Sequence, residues 1–60
     1  MISNEQAVKA CVIAQFLTSK GLEIVIFQYS PRRRVIYIET SADRKIKTLI
    51  NEEGRYKHID

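Results

Sequence analysis

The feature that most constrains this chain is that its 60 residues have to build a hydrophobic core without a cross-link. A domain of this length buries only about 60% of the surface that its unfolded chain exposes, so small folds usually gain stability from disulfides, a structural metal or oligomerisation. The sequence has one cysteine, Cys11, and one histidine, His58, which excludes an internal disulfide and a four-ligand zinc site. We therefore expect one small domain over residues 1–60 that associates with another chain and uses no cofactor.

A helix is predicted from Asn4 to Ser19. Ser3 and Gln6 have the spacing of a capping box, and Gly21 suits the left-handed conformation that follows a helix end. Apolar side chains cover most of the helix circumference, and a helix of this kind is normally buried on more than one side. They are Ala7, Val8, Ala10, Cys11, Val12, Ile13, Ala14, Phe16 and Leu17. We expect one side to lie on the chain's own sheet and another against a second chain.

Two segments rich in β-branched and aromatic residues follow, at 22–29 and 34–40, and the Ser30-Pro31 pair between them predicts a hairpin turn. Residues 41–53 fit two interpretations. As a helix they would place basic side chains near the positive end of the helix dipole and Glu52 and Glu53 near the negative end, which is unfavourable. As a strand over 45–50, they lead into a turn that ends at Gly54 and a returning strand over 55–59.

The strand interpretation predicts an α+β fold, in which the N-terminal helix packs on a four-stranded antiparallel β-meander. The alternative is an α-β-β-α arrangement with a short C-terminal strand. In the meander, strand alternation places an aliphatic face under the helix. This face is predicted to contain Leu22, Ile24, Ile26, Ile36, Ile38, Ile46 and Ile50.

The opposite face of the predicted sheet is too apolar to remain in water. Together with two residues of the helix, it forms the predicted interface of a homodimer or of a complex with another small protein. The predicted interface residues are Val12, Phe16, Val25, Phe27, Tyr29, Val35, Tyr37 and Leu49. This non-catalytic protein-binding role is the function that the sequence favours.

A nucleic-acid-binding role is the alternative, because the formal net charge of +3 arises entirely from the second half of the chain. Aromatic rings on a sheet can stack on unpaired bases while neighbouring basic side chains follow the phosphates. The candidate nucleic-acid-binding residues are Arg32, Arg33, Arg34, Lys45, Lys47, Arg55 and Lys57.

Catalysis, a membrane span and a secretory signal have little support in the sequence. Cys11 has only Lys9 as a basic neighbour, and His58 has no nucleophile pattern around it. The two glycines form neither a phosphate-binding loop nor a dinucleotide fingerprint, and no small-molecule substrate is evident. The longest apolar-rich stretch, 7–17, is much shorter than the roughly 20 residues that cross a bilayer. We therefore expect a cytoplasmic protein that is not an enzyme, with no metal site and no membrane partner.

The chain combines an EQA…AC-V/I…Q-x-L-S/T pattern in the helix, a V-Y-I run in the hairpin, an apolar strand, a turn that ends in glycine and a last strand with an aromatic residue. The positions are Glu5, Gln6, Ala7, Ala10, Cys11, Val12, Gln15, Leu17, Thr18, Ser19, Val35 or Ile36, Tyr37, Ile38, 46–50, Gly54 and Tyr56. In this combination the chain resembles a family of very small uncharacterised cyanobacterial proteins. Members usually have tryptophan and phenylalanine where this chain has Tyr56 and His58. The resemblance implies an α+β fold without an established activity, and a gene next to another small gene in a toxin–antitoxin-like arrangement.

Overall fold

The computed structural model describes residues 1–41 and 45–59. They form one helix and one antiparallel sheet with strand order β1-β2-β3-β4. The elements are α1 (Asn4–Ser19), β1 (Ile24–Ser30), β2 (Val35–Thr40), β3 (Lys47–Ile50) and β4 (Tyr56–Ile59). The predicted α+β fold, with the helix packed on a four-stranded meander, is confirmed.

The alternative prediction, a helix over 41–53, is wrong at the residues of this segment that the structure describes. Its residues 47–50 form β3 and pair with both β2 and β4. Gly54 ends the turn between β3 and β4 with φ +80°, as the strand interpretation required. Residues 42–44 of that predicted helix lie outside the described residues.

Both ends of α1 are capped as the sequence predicted. At the start, the Ser3 hydroxyl accepts a hydrogen bond from the Gln6 backbone N–H at 3.1 Å, and the Gln6 side chain accepts one from the Ser3 N–H at 3.2 Å. At the end, Gly21 has φ +79°, and the N–H of Leu22 donates to the Leu17 carbonyl at 3.1 Å. These bonds satisfy backbone groups that a helix terminus leaves unpaired, so they fix where α1 begins and ends.

The hydrophobic core lies between α1 and the centre of the sheet. Its buried apolar members are Ala10, Ile13 and Leu17 of α1, and Ile36, Ile38 and Ile50 of the sheet. Leu22, Ile24, Tyr29 and Ile46 are partly buried and pack against this core. The predicted aliphatic face is therefore confirmed at six of its positions, and Ile26 is the exception.

A bulge in β1 moves Ile26 away from the core and changes the predicted faces of that strand. Ile24 pairs with Thr40, but Ile26 pairs with Glu39, so β1 contains one more residue than β2 over this interval. An extra residue reverses the alternation of the side chains that follow it.

Phe27 and Tyr29 therefore lie on the helix side of the sheet, opposite Ile38 and Ile36 respectively. The prediction that both rings point away from the helix is wrong, because it assumed unbroken alternation along β1.

Gln6 joins the helix to two parts of the sheet. Its side chain is fully buried, and its amide nitrogen donates to the Arg34 carbonyl and to the Ile50 carbonyl, each at 2.9 Å. Ser3 adds a third connection, because its hydroxyl donates to the Glu52 carbonyl at 2.5 Å. The N-terminal turn of α1 is thus fixed to the turn after β1 and to the turn after β3.

Candidate functional site

The predicted interface residues do not form one face but divide among separate surfaces. Val12 and Phe16 are exposed on α1, and Val25 and Phe27 are exposed on β1, an edge strand. Tyr29 packs against the core, and its hydroxyl contacts both the amino group and the carbonyl of Met1. The other predicted residues, Val35, Tyr37 and Leu49, are half-buried on the sheet face away from the helix.

An exposed apolar surface runs along α1 as a row that we call the helix stripe: Val8, Val12 and Phe16. Their side chains are 56%, 54% and 58% exposed, respectively. Because they are spaced four residues apart, they lie one above another on the same side of the helix. This side is roughly a third of a turn from the residues of α1 that face the sheet. The chain's own sheet therefore leaves the stripe uncovered.

The helix stripe continues into a groove between α1 and β4. The helix packs mainly on β1, β2 and β3, so the helix-side surface of β4 is left open. Val12 and Phe16 line this groove together with Tyr56 and His58 of β4. The ammonium group of Lys9 lies 5.7 Å from the centre of the Tyr56 ring, a cation–π distance. The groove is consequently apolar at its floor, with a basic group at its rim.

Opposite charges mark the two ends of the helix stripe. Glu5 is exposed in the first turn of α1, three residues before Val8. Lys20 follows Phe16 by four residues, and its ammonium group lies 5.5 Å from the centre of the Phe16 ring. Among the described residues, the only ion pair joins Arg34 to Glu52. Glu5 and Lys20 therefore reach the surface without an ionic partner in the described part of the chain.

The sheet face away from the helix, which we call the open face, centres on Val35, Tyr37 and Leu49. Tyr37 pairs with Leu49 across β2 and β3. The Tyr37 hydroxyl donates to a carboxylate oxygen of Glu39 at 2.5 Å. This hydrogen bond, followed by desolvation and by the negative charge of Glu39, raises the pKa of Tyr37 above its ordinary value of 10.0.

Four of the seven predicted nucleic-acid-binding residues surround the open face. Arg33 borders it near Tyr37, and Arg55 and Lys57 border it near Leu49. Lys47 pairs with Glu39 across β2 and β3 and lies on the same face.

The other three basic residues are exposed outside the strands. They are Arg32 and Arg34 in the turn after β1, and Lys45 before β3. The guanidinium of Arg34 is 3.8 Å from the Glu52 carboxylate. The arrangement therefore concentrates positive charge around the open face but leaves it only one predicted aromatic residue, Tyr37.

The residues with nucleophilic or metal-binding chemistry are dispersed. His58 is exposed on β4, where its Nδ1 atom is 2.8 Å from the buried Thr48 hydroxyl. Cys11 is exposed on α1. No three His, Cys, Asp or Glu side chains in 1–41 and 45–59 lie close enough to hold a metal ion. The same residues contain no helix with the length and hydropathy needed to cross a membrane.

Sequence reasoning missed several members of the surface around the helix stripe. Val8 was placed on the helix but not in the interface, although the four-residue spacing of Val8, Val12 and Phe16 is a visible signal. Glu5 and Lys20 continue the same row at the next helical positions. Tyr56 has no comparable signal, because its approach to α1 depends on how far the helix extends across the sheet.

Comparison with known proteins finds no relative of this chain. No protein-family model, curated protein or solved structure matches the chain.

Proposed function

We propose that the protein is a non-catalytic protein–protein interaction module, which acts as a homodimer or in a complex with another small protein. The helix stripe is the observation that carries this proposal. Three large apolar side chains in a row, each more than half exposed, are costly in water and typical of a surface that binds a partner.

The size of the core supports the same conclusion. Only six apolar residues of the described chain are buried, and burying one large aliphatic side chain contributes about 1.5 to 3 kcal/mol. The conformational entropy of a chain of this length opposes most of that gain. Covering the helix stripe on association would add apolar burial that the single chain lacks, so association and stability are expected to be coupled.

The two-component form of the proposal is supported by the resemblance of the chain to small cyanobacterial proteins whose genes adjoin another small gene. In that form the partner would cover the helix stripe and the groove beside Tyr56. The charged groups at the rim, Lys9 among them, would contribute to selection of the partner.

Light scattering coupled to size-exclusion chromatography tests the proposal. We expect a particle at least twice the 7.0 kDa mass of one chain at micromolar concentration. Val12→Glu should reduce the mass to that of one chain, since it places a charge inside the interface. Thr18→Glu is the matched control, because Thr18 is exposed on another side of the same helix. A clean monomer for the unaltered chain would contradict the proposal.

Nucleic-acid binding by the open face is a second candidate, and the basic border of that face is the observation that favours it. Neutralisation of several phosphates makes binding fall steeply with salt, so a mobility shift of single-stranded RNA or DNA should be visible at about 50 mM salt. Arg55→Glu combined with Lys57→Glu should abolish the shift and leave the oligomer intact. If the unaltered chain gives no shift at that salt concentration, the basic border serves only as a solvated surface.

A further inference from the structure

The helix stripe has a symmetry that suits a second copy of the same chain as its partner. Val8 and Phe16 lie four residues on either side of Val12, at the same distance along the helix axis in opposite directions. Two copies of α1 packed antiparallel, with a twofold axis at Val12, would place Val8 of each copy opposite Phe16 of the other. An interface around a twofold axis needs a surface of this kind, which is complementary to itself.

The charges at the ends of the stripe distinguish the antiparallel arrangement from the parallel one. In an antiparallel pair, Glu5 of one copy comes next to Lys20 of the other, and this happens twice. In a parallel pair, Glu5 would face Glu5 and Lys20 would face Lys20. The helix dipoles add to the preference, because antiparallel helices bring opposite partial charges together. Neither side chain has an ionic partner within the described part of its own chain, so both are available for these contacts.

A shallow depression beside Val8 offers a place for the aromatic ring of the second copy. It is lined by Asn4, Glu5, Val8, Lys9 and Val12 of α1 and by Glu53 and Gly54 of the turn after β3. An antiparallel second helix would present its Phe16 at the height of Val8, above this depression. The same geometry would place the ammonium of its Lys20 beside Glu5, which lines the depression.

We infer that the protein forms a homodimer through antiparallel packing of α1 on α1 of a second copy, with Val12 on the twofold axis and Glu5 paired with Lys20 of the other copy. The inference rests on the proposed function and specifies its partner and geometry. The occupant of the helix stripe is thus a second copy of this chain.

A charge-reversal experiment tests the geometry. Glu5→Lys places lysine beside lysine in both ionic contacts of the dimer, and Lys20→Glu places glutamate beside glutamate. Because each change acts twice by symmetry, we expect either variant to raise the dissociation constant about tenfold. An equimolar mixture of the two variants should restore the dimer, since both contacts of the heterodimer are again between opposite charges. Sedimentation equilibrium of each variant and of the mixture measures this.

The mixture separates a pairing effect from damage to the fold. Both chains in the mixture keep their own substitution, so a loss of helix stability in either one would remain, and only a contact between the copies can be restored. The control is Arg32→Glu alone, which reverses a charge in the exposed turn after β1 and should dimerise as tightly as the unaltered chain.

The outcomes also distinguish failure of the geometry from failure of the proposed function. If the unaltered chain dimerises but the two variants dimerise equally well alone, the antiparallel geometry is overturned and the interaction role stands. If both variants are weakened and the mixture is no tighter than either alone, the geometry is also overturned. If the unaltered chain is a monomer, the proposed function fails together with the inference. Weaker dimerisation of both variants alone, with recovery of the dimer in their mixture, supports the antiparallel homodimer.

Discussion

Gly54, in the turn between β3 and β4, lies close to the first turn of the helix. Its φ of +80° is a conformation that other residues rarely adopt, and a Cβ atom placed there would lie 3.0 Å from the Glu5 carbonyl oxygen. Gly21 has nearly the same φ, +79°, but a Cβ atom there would meet nothing within 4 Å. The two glycines therefore separate the cost of backbone conformation from the cost of close packing.

We predict that Gly21→Ala lowers the free energy of unfolding by about 1 to 2 kcal/mol, the usual cost of the left-handed conformation for a residue with a side chain. Gly54→Ala should cost about 1 to 3 kcal/mol more, because the added methyl group displaces the first turn of α1. Urea denaturation of both variants measures the difference. Equal costs would show that the contact between Gly54 and Glu5 contributes nothing.

Gln6 provides the second prediction at the scale of single residues. Replacement by alanine leaves the carbonyls of Arg34 and Ile50 without their side-chain donor, and it removes half of the capping box. We expect Gln6→Ala to lower the free energy of unfolding by about 2 to 4 kcal/mol. Gln15→Ala on the exposed side of α1 is the control and should change stability by less than about 0.5 kcal/mol. A similar loss in both variants would contradict this role of Gln6.

At the scale of elements, the hydrogen bond within β2 predicts a dependence on alkaline pH. The pKa of Tyr37 is higher in the folded chain than its ordinary value of 10.0, so the bond to Glu39 stabilises the fold fully below pH 10. This contribution falls as the pH rises through the raised pKa, because the phenolate cannot donate and repels the carboxylate. We expect thermal denaturation to show a steeper loss of stability above pH 10 for the unaltered chain than for Tyr37→Phe. Parallel pH profiles for the two chains would contradict this prediction.

The elements themselves could be predicted from sequence because local signals define them. The capping box at Ser3 and Gln6 and the two positive-φ glycines appear in the structure as expected. The bulge in β1 could not be predicted, because neither Val25 nor Ile26 is a residue type that marks one. Pairing with β2 produces it, and that pairing depends on contacts across the hairpin.

The candidate surfaces were harder to predict than the elements for a related reason. One extra residue in β1 moves Phe27 and Tyr29 to the helix side, so the expected aromatic platform of the open face retains only Tyr37. In contrast, Val12 and Phe16 were expected to be available to a second chain, and both are exposed. Helical spacing alone is enough to place them on one side of α1.

For the whole molecule, coupling between association and folding predicts a melting temperature that depends on concentration. If the folded chain dimerises and the unfolded chain does not, dilution shifts the equilibrium towards unfolding. We expect the melting temperature of the unaltered chain to rise measurably over a hundredfold increase in concentration. The melting temperature of Phe16→Ser should not depend on concentration, since this change removes the largest apolar group of the helix stripe. A constant melting temperature for both chains would show that folding is independent of association.

The hydrogen bonds that hold the start of α1 join positions far apart in the chain, and this has a consequence for the order of assembly. Gln6 is 44 positions from Ile50, and Ser3 is 49 positions from Glu52. Contacts across long loops form late because closing the loop costs entropy before any contact is gained. During synthesis α1 emerges first, and β3, which it contacts, is made only when translation reaches residue 50. The hydrogen bonds that hold the start of α1 therefore form only after β3 and the turn that follows it have been made.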